Sequence, residues 1–145
     1  MNISIPEFEQ KIFFERKNKY CLLIPLFNEG ERYFNQVKKM TKNKVFEKVD
    51  VVICDAGSTD GTTDPSYLEK TGHRALLTRK GKGRYSTDLK MGYSWAIEQG
   101  YCGFITVDGN DKDGTEAIDL FINKLDEGYD YVQGSRYVSG GVEVN

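Results

Sequence analysis

Five short apolar runs punctuate the chain: YCLLIPLF (20–27), VDVVICDA (49–56), RALLTR (74–79), GFITVD (103–108) and YDYVQGS (129–135). Their lengths and β-branched content mark them as strands. They are nearly all apolar, without clean alternation, as strands are when both faces are covered. Helical spacing fills the gaps. EGERYFNQVKKMTK brings Phe34, Val37 and Met40 or Thr41 to one side. STDLKMGYSWAIEQG does the same with Leu89, Tyr93, Ala96 and Ile97, and ends on Gly100. TEAIDLFINKLDEG groups Ile118, Phe121, Ile122 and Leu125, and ends on Gly128. The segment after the second run is the weakest helix, because Pro65 interrupts it. Alternation of this kind predicts an α/β fold with a mostly parallel sheet and helices on both faces.

The chain of 145 residues has the size of one domain with one core. A net charge of −2 argues against a protein that holds nucleic acid through bulk electrostatics. Cys21, Cys54 and Cys102 form no Cys-x-x-Cys pair and lie in or beside apolar runs. They read as buried, reduced thiols of a cytoplasmic protein. No apolar run approaches the roughly 20 residues that span a bilayer. Residues 1–18 lack a signal-peptide core and are expected to form an arm or a short amphipathic helix.

In a parallel sheet, ligands bind in the crevice beyond the carboxyl ends of the strands. The unusual polar residues come directly after the predicted strands: Pro25–Glu29, Asp55–Gly61, Gly81–Thr87, Asp108–Asp113 and Ser135–Arg136. In the first, Phe27 offers a face for a base to stack on, and Asn28 and Glu29 offer polar edges. A plain helix start, capped by Asn28, fits the same residues. In the second, Asp55 can accept from a base or ribose, Gly57 and Gly61 allow tight turns, and Ser58, Thr59 and Asp60 can cap the next segment. In the third, Arg79, Lys80, Lys82 and Arg84 could close over a diphosphate or simply be solvated. Gly81 and Gly83 begin a near-match to G-x-G-x-x-G, but Ser86 stands at the third glycine, so a dinucleotide fingerprint is rejected. In the fourth, Asp108, Asn110, Asp111 and Asp113 crowd into six residues. An EF-hand fails there, because Lys112 and Asp119 occupy ligand positions. Asp113 to Glu116 suit a helix start, which leaves Asp108 and Asn110 unexplained. His73 opens the third strand without a partner in sequence and is read as structural.

Taken together these segments resemble the family 2 glycosyltransferases of the GT-A fold, in the dolichyl-phosphate mannose synthase-like branch. IPLFNEGE is similar to the family's I-P-x-[YF]-N-E start, and DAGSTDGT to its D-D-G-S-T-D-G-T. LKMGYSWAIEQG is similar to its R-x-G-x-x-x-A helix, with Lys90 at the arginine position. ITVDGNDKDGTEAI is similar to the D-x-D loop, and GYDYVQGSRY to the G-x-D-x-V-x-G-S-R-[YF] strand. The resemblance implies a Rossmann-like three-layer α/β/α domain over 1–145 that takes a nucleoside diphosphate sugar, UDP- or GDP-linked. The acceptor would be a polyprenyl phosphate or a glycan, at the inner face of a membrane, in cell-envelope polysaccharide synthesis. Pro25, Phe27, Asn28, Glu29, Asp55, Gly57 and Ser58 would bind the nucleoside, and Lys82, Lys90 and Gly109 would line the donor site. Asp108 and Asn110 would hold Mg²⁺ or Mn²⁺ against the diphosphate. Asp108 and Arg136 would be the catalytic pair, Arg136 lying near the phosphates.

Three departures stand out. Ala56 replaces the second Asp of D-D-G-S. Asn110 replaces the second carboxylate of D-x-D, with Lys112 nearby, so that the cation is held more weakly, or is partly replaced by Lys112, or draws in Asp111. The chain also ends just after the strand that precedes the acceptor half in the family; if it is cut from something longer, an apolar acceptor-side edge is expected to be exposed and to drive self-association. A donor-binding module without catalysis is the alternative function. A nucleotidyltransferase is discounted for want of a basic glycine-rich loop after the first strand.

Overall fold

The computed structural model describes residues 5–112, 114, 117–128, 131–135 and 141–144, the last two segments as backbone. The chain runs β1 (Phe8–Ile12), β2 (Tyr20–Leu26), α1 (Glu31–Lys42), α2 (Val45–Lys48), β3 (Asp50–Asp55), α3 (Pro65–Thr71) and β4 (Ala75–Arg79). It continues through α4 (Tyr85–Glu98), β5 (Gly103–Thr106), α5 (Ile118–Asp126), β6 (Tyr131–Ser135) and β7 (Gly141–Val144). The five predicted strands are β2 to β6, and they pair in parallel in the order β4-β3-β2-β5-β6. Antiparallel strands β1 and β7 close the two edges of this sheet among the described residues.

Of the two expectations for the N-terminal segment, an arm or an amphipathic helix, residues 8–12 take up neither helix nor free arm but form strand β1. FEQKI leaves only Phe8 half-buried, so its side chains carry almost no strand period. Its backbone instead supplies the partner for β4, from Phe8 opposite Arg79 to Ile12 opposite Ala75. An open edge rich in N–H and C=O groups takes such a strand whatever its side chains are.

The period of two splits the central strands between two cores. Leu22, Ile24 and Leu26 of β2 point one way, onto Tyr33, Val37 and Met40 of α1, Leu68 of α3 and Phe121 of α5. Cys21 and Leu23 point the other way, onto Met91, Trp95 and Ala96 of α4. The three-layer α/β/α expectation is thus met. Cys21 and Cys54 are buried as expected, whereas Cys102 is exposed. Pro65 does not interrupt α3. It occupies the first helical turn after the N-cap Asp64, whose side chain accepts from Ser66 N at 3.3 Å, a position where proline's missing N–H costs nothing.

Two helices bury faces rotated from the predicted ones, keeping Ala96 of α4 and Val37 and Met40 of α1 in the core. Helix α4 buries Asp88, Met91, Gly92, Trp95 and Ala96, while Ile97 is 69% exposed and Leu89 and Tyr93 are half-buried. Gly92 decides the rotation. A Cβ there would lie 2.6 Å from Cys54 Sγ and 3.2 Å from Leu23 Cδ1, so the helix backbone itself sits on the sheet. Helix α1 buries Tyr33, Gln36, Val37 and Met40, and leaves Phe34 to pack edge-on against Tyr67 at 5.1 Å. His73 is buried in a hydrogen-bonded niche, with Tyr33 Oη at 2.7 Å from Nε2 and Thr71 Oγ1 at 2.9 Å from Nδ1. Burial lowers its pKa to about 3, so it stands as a neutral structural residue.

Candidate functional site

Strand order reverses at β2, which has β3 on one side and β5 on the other. Pairing with β5 ends at Leu23 opposite Thr106, while pairing with β3 continues to Leu26 opposite Asp55. Pro25 lies in this one-sided stretch. It stops the ladder toward β5 only, and there the sheet opens. A crevice of about 540 Å³ fills the opening. Its walls come from Pro25–Phe27 and Glu29 after β2, Ala56 after β3, Arg79 and Gly83–Tyr85 with Asp88 around β4 and α4, and Asp108–Asn110 after β5.

Of the predicted site residues, Pro25, Phe27, Glu29, Asp108, Gly109 and Asn110 therefore converge on one cavity. Phe27 is 56% exposed and presents its ring at the mouth. Glu29 Oε2 lies 3.2 Å from Arg32 Nε, close enough for an ion pair but not aligned for a hydrogen bond.

The predicted residues after β2 and β3 divide differently. Asn28 has a left-handed φ of 46° and accepts from Thr59 N through Oδ1 at 2.7 Å. Its own N–H donates to Ser58 Oγ at 2.9 Å, and Gly30 N donates to Asp60 Oδ2 at 2.8 Å. Thus Asn28 caps no helix, and Ser58, Thr59 and Asp60 brace the loop after β2. Asp55 is buried beneath this brace and accepts from Ser58 Oγ at 2.7 Å and Ser58 N at 3.0 Å. Burial raises its pKa, against the pull of the Ser58 donors. Gly57 and Gly61 take the positive φ that the two turns demand. Asp55, Gly57 and Ser58 thus hold the turn after β3 without lining the crevice, and Ala56 is the residue of this segment in its wall.

The basic segment is also divided. Arg79 reaches the crevice, but its Nε lies 2.6 Å from Asp88 Oδ1 and its Nη1 donates to Gly81 O at 2.9 Å. The Arg79 and Asp88 side chains are 8% and 6% exposed, a buried and internally compensated pair. Lys80 faces Glu9 at 3.4 Å. Lys82 and Lys90 are exposed and lie outside the crevice wall. Arg84 lines the mouth at the N-cap of α4.

The Asp-rich loop is held from two sides. Tyr85 Oη donates to Asp108 Oδ1 at 2.5 Å across the crevice. Asn110 Oδ1 accepts from Lys112 N at 3.1 Å. Asp111 does not turn toward the crevice: its carboxylate lies 3.0 Å from Lys39 Nζ on α1. Gln36 donates to Asp108 O at 2.9 Å and accepts from Asp111 N at 2.8 Å. Asp113, Glu116 and Arg136 lie outside the described residues.

A divalent cation meets a sparse donor set here. Among the described residues no three or more His, Cys, Asp or Glu side chains converge in a metal-binding arrangement. Asp108 and the Asn110 amide oxygen make an incomplete shell. That shell fits a cation shared with phosphate oxygens and water, the common Mg²⁺ arrangement, and not one held by protein alone.

Sequence reasoning missed Tyr85, Gln36 and Asp88. Gln36 counts as polar in any sequence pattern, and only its two hydrogen bonds to the loop after β5 account for its burial. Nothing in the spacing announces Tyr85 or the nine-residue separation of Arg79 and Asp88.

An open sheet with its polar loops gathered at the reversal of strand order places the chain among doubly wound α/β proteins that bind ligands at that point. Residues 21–145 match the model of glycosyl transferase family 2, and the chain belongs to that family. It is 27% identical over 127 residues to polyprenol monophosphomannose synthase of Mycolicibacterium smegmatis, covering 86% of this chain and 47% of that protein. It is 30% identical over 118 residues to glycosyltransferase AglJ of Haloferax volcanii, covering 81% of this chain and 36% of that protein. The chain thus spans less than half the length of these curated relatives. Among the described residues no helix is long and apolar enough to cross a membrane.

Proposed function

We propose that this domain binds a nucleoside diphosphate sugar in the switch-point crevice and serves transfer of the sugar to a polyprenyl phosphate. Family membership and the polyprenol-linked name of one relative support the reaction class. The observation that carries it is that Phe27, Glu29, Asp108 and Asn110 all line one cavity. Phe27 offers a stacking face to the base, and Glu29 an acceptor for ribose hydroxyls. Asp108 and Asn110 face the diphosphate. A divalent cation bound there would neutralise the charge that develops on the leaving diphosphate. An acceptor phosphate oxygen attacks the anomeric carbon as the bond to the donor diphosphate breaks, and nucleoside diphosphate leaves. A phosphate acceptor is already ionised, so the step needs no protein base. The internal pairing of Arg79 with Asp88 leaves Arg84, among the described residues, as the cation of the crevice wall to meet the phosphates.

A second reading, a donor-binding domain without turnover of its own, is favoured by the sparse Asp108–Asn110 donor set among the described residues. Calorimetric titration with UDP, GDP and their sugars, with and without Mn²⁺, followed by an assay for donor hydrolysis, separates the two. Turnover supports the first and cation-dependent binding without turnover the second. Binding of no nucleotide would remove both. Asp108→Ala is expected to abolish the cation-dependent part of binding, and Asn110→Asp to tighten it by restoring a carboxylate. Weaker cation binding in Asn110→Asp would overturn the assignment of that position.

A further inference from the structure

Helix α1 does more than cover the sheet. Tyr33, Gln36 and Lys39 recur every three residues along one side of it, and each meets the loop that carries Asp108 and Asn110. Tyr33 packs under Gly109. A Cβ on that glycine would lie 3.3 Å from Tyr33 Cδ1 and 2.5 Å from Leu26 Cδ1, so the loop backbone rests directly on the core. Lys39 pairs with Asp111 at the exposed end. Between them Gln36, fully buried, spends both ends of its amide on the loop backbone. Its Nε2 donates to Asp108 O, and its Oε1 accepts from Asp111 N.

We propose that Gln36 is a positioning residue that holds the Asp108–Asp111 loop in the geometry needed for cation and diphosphate binding. This rests on the reading of Asp108 and Asn110 as the contact for that ligand. The physical case has three parts. The two hydrogen bonds bracket the four residues, so they fix both ends of the segment that bears Asp108 and Asn110. Asp111 has a φ of 62°, a left-handed conformation that a non-glycine residue keeps only when its surroundings hold it. Its N–H bond to Gln36 is one such hold. Finally, among the described residues Asp108 and Asn110 are too few to define a cation site by coordination alone, so the loop backbone is left to set their separation. Gln36 itself does not line the crevice and acts only through the loop backbone.

The test uses Gln36→Met, similar in length but without hydrogen bonds, Gln36→Glu, which keeps the acceptor, and Lys39→Ala as a control on the same helix side. Affinity for UDP and GDP is measured with and without Mn²⁺, and amide exchange at Asp111 is followed in the ligand-free protein. Gln36→Met should lose about 10- to 100-fold of the affinity gained from Mn²⁺, with cation-free nucleotide binding unchanged. Asp111 N–H should be protected in the unsubstituted protein and in Gln36→Glu, but exchange faster in Gln36→Met. Lys39→Ala should stay within about twofold, because exposed pairs contribute little. An undiminished Mn²⁺ effect in Gln36→Met would overturn the proposal. So would an unprotected Asp111 amide in the unsubstituted protein, a measurement that needs no variant to fold. If the unsubstituted protein shows no Mn²⁺ effect, the reading of the site fails, and the proposal that rests on it falls with it. A Mn²⁺ effect that survives Gln36→Met sinks the proposal alone.

Discussion

Replacing Asp88 tests what the crevice wall is made of. Asp88 Oδ1 sits 2.6 Å from Arg79 Nε, and both side chains are nearly sealed from solvent. Burial raises the Asp88 pKa even against the pull of Arg79. A carboxyl raised in this way favours the protonated form in the fold. Its contribution to stability is fully present below the unfolded pKa and is lost as pH rises through the folded one. At neutral pH the fold therefore carries the ionised pair against a desolvation cost. Asp88→Ala removes the counter-charge and leaves Arg79 the Gly81 carbonyl as an acceptor. Stranding a buried charge costs about 3–5 kcal/mol. Asp88→Asn keeps an oxygen for Arg79 Nε and avoids burying a carboxylate, so its cost is nearer the ~1–2 kcal/mol of one weakened hydrogen bond. Urea denaturation at pH 7 is the assay. With a slope typical of small proteins, Asp88→Ala lowers the midpoint by roughly 2 M and Asp88→Asn by less than half that. Asp88→Asn should also strengthen nucleoside diphosphate binding at low salt, because Arg79 would then present its full charge to the crevice. An Asp88→Ala midpoint within experimental error of the original, or an Asn variant weaker than the Ala variant, would refute the reasoning.

Two further outcomes rest on the same geometry. His73 is held neutral, with its pKa lowered to about 3 by burial, so the unfolded chain takes up a proton below pH 6.5 that the folded one refuses. Stability from this residue is present above pH 6.5 and falls by up to about 1.4 kcal/mol per unit as pH drops toward the folded value. His73→Gln should flatten that part of the profile between about pH 7 and 5, and an unchanged slope would contradict the assignment. Gly109→Ala would push its Cβ against Leu26 Cδ1, costing about 1–3 kcal/mol by overpacking and weakening nucleotide binding. Adding Leu26→Ala should restore the loop and the binding while lowering stability further, and failure of that rescue would place the defect elsewhere.

The strands β2 to β5 are legible because strands covered on both faces are mostly apolar, and such short runs stand out in a chain this polar. Their loops are legible for a related reason. Parallel strands all deliver their carboxyl ends to one edge, so Pro25–Glu29 and Asp108–Asn110 had to meet if the order reversed between them. The family motifs then supply expectations for residues that spacing alone does not assign. Other features depend on groups far apart in the chain. Strand β1 exists because β4 had an unpaired edge, and backbone pairing leaves no mark on side-chain pattern. The buried face of α4 escapes a count of apolar side chains because its contact residues include Gly92, which has none, and Asp88, buried only because Arg79 meets it. Pro65 starts α3 because Asp64 caps it, so the same residue that breaks a helix interior opens this one. Gln36 counts as polar in any pattern, yet it is buried because the loop after β5 offers one acceptor and one donor at its two ends. Side-chain periodicity records how each residue meets solvent on average. Which polar group is matched to which is settled only when the chain closes on itself, and there the candidate site acquires Tyr85, Gln36 and the compensated Arg79.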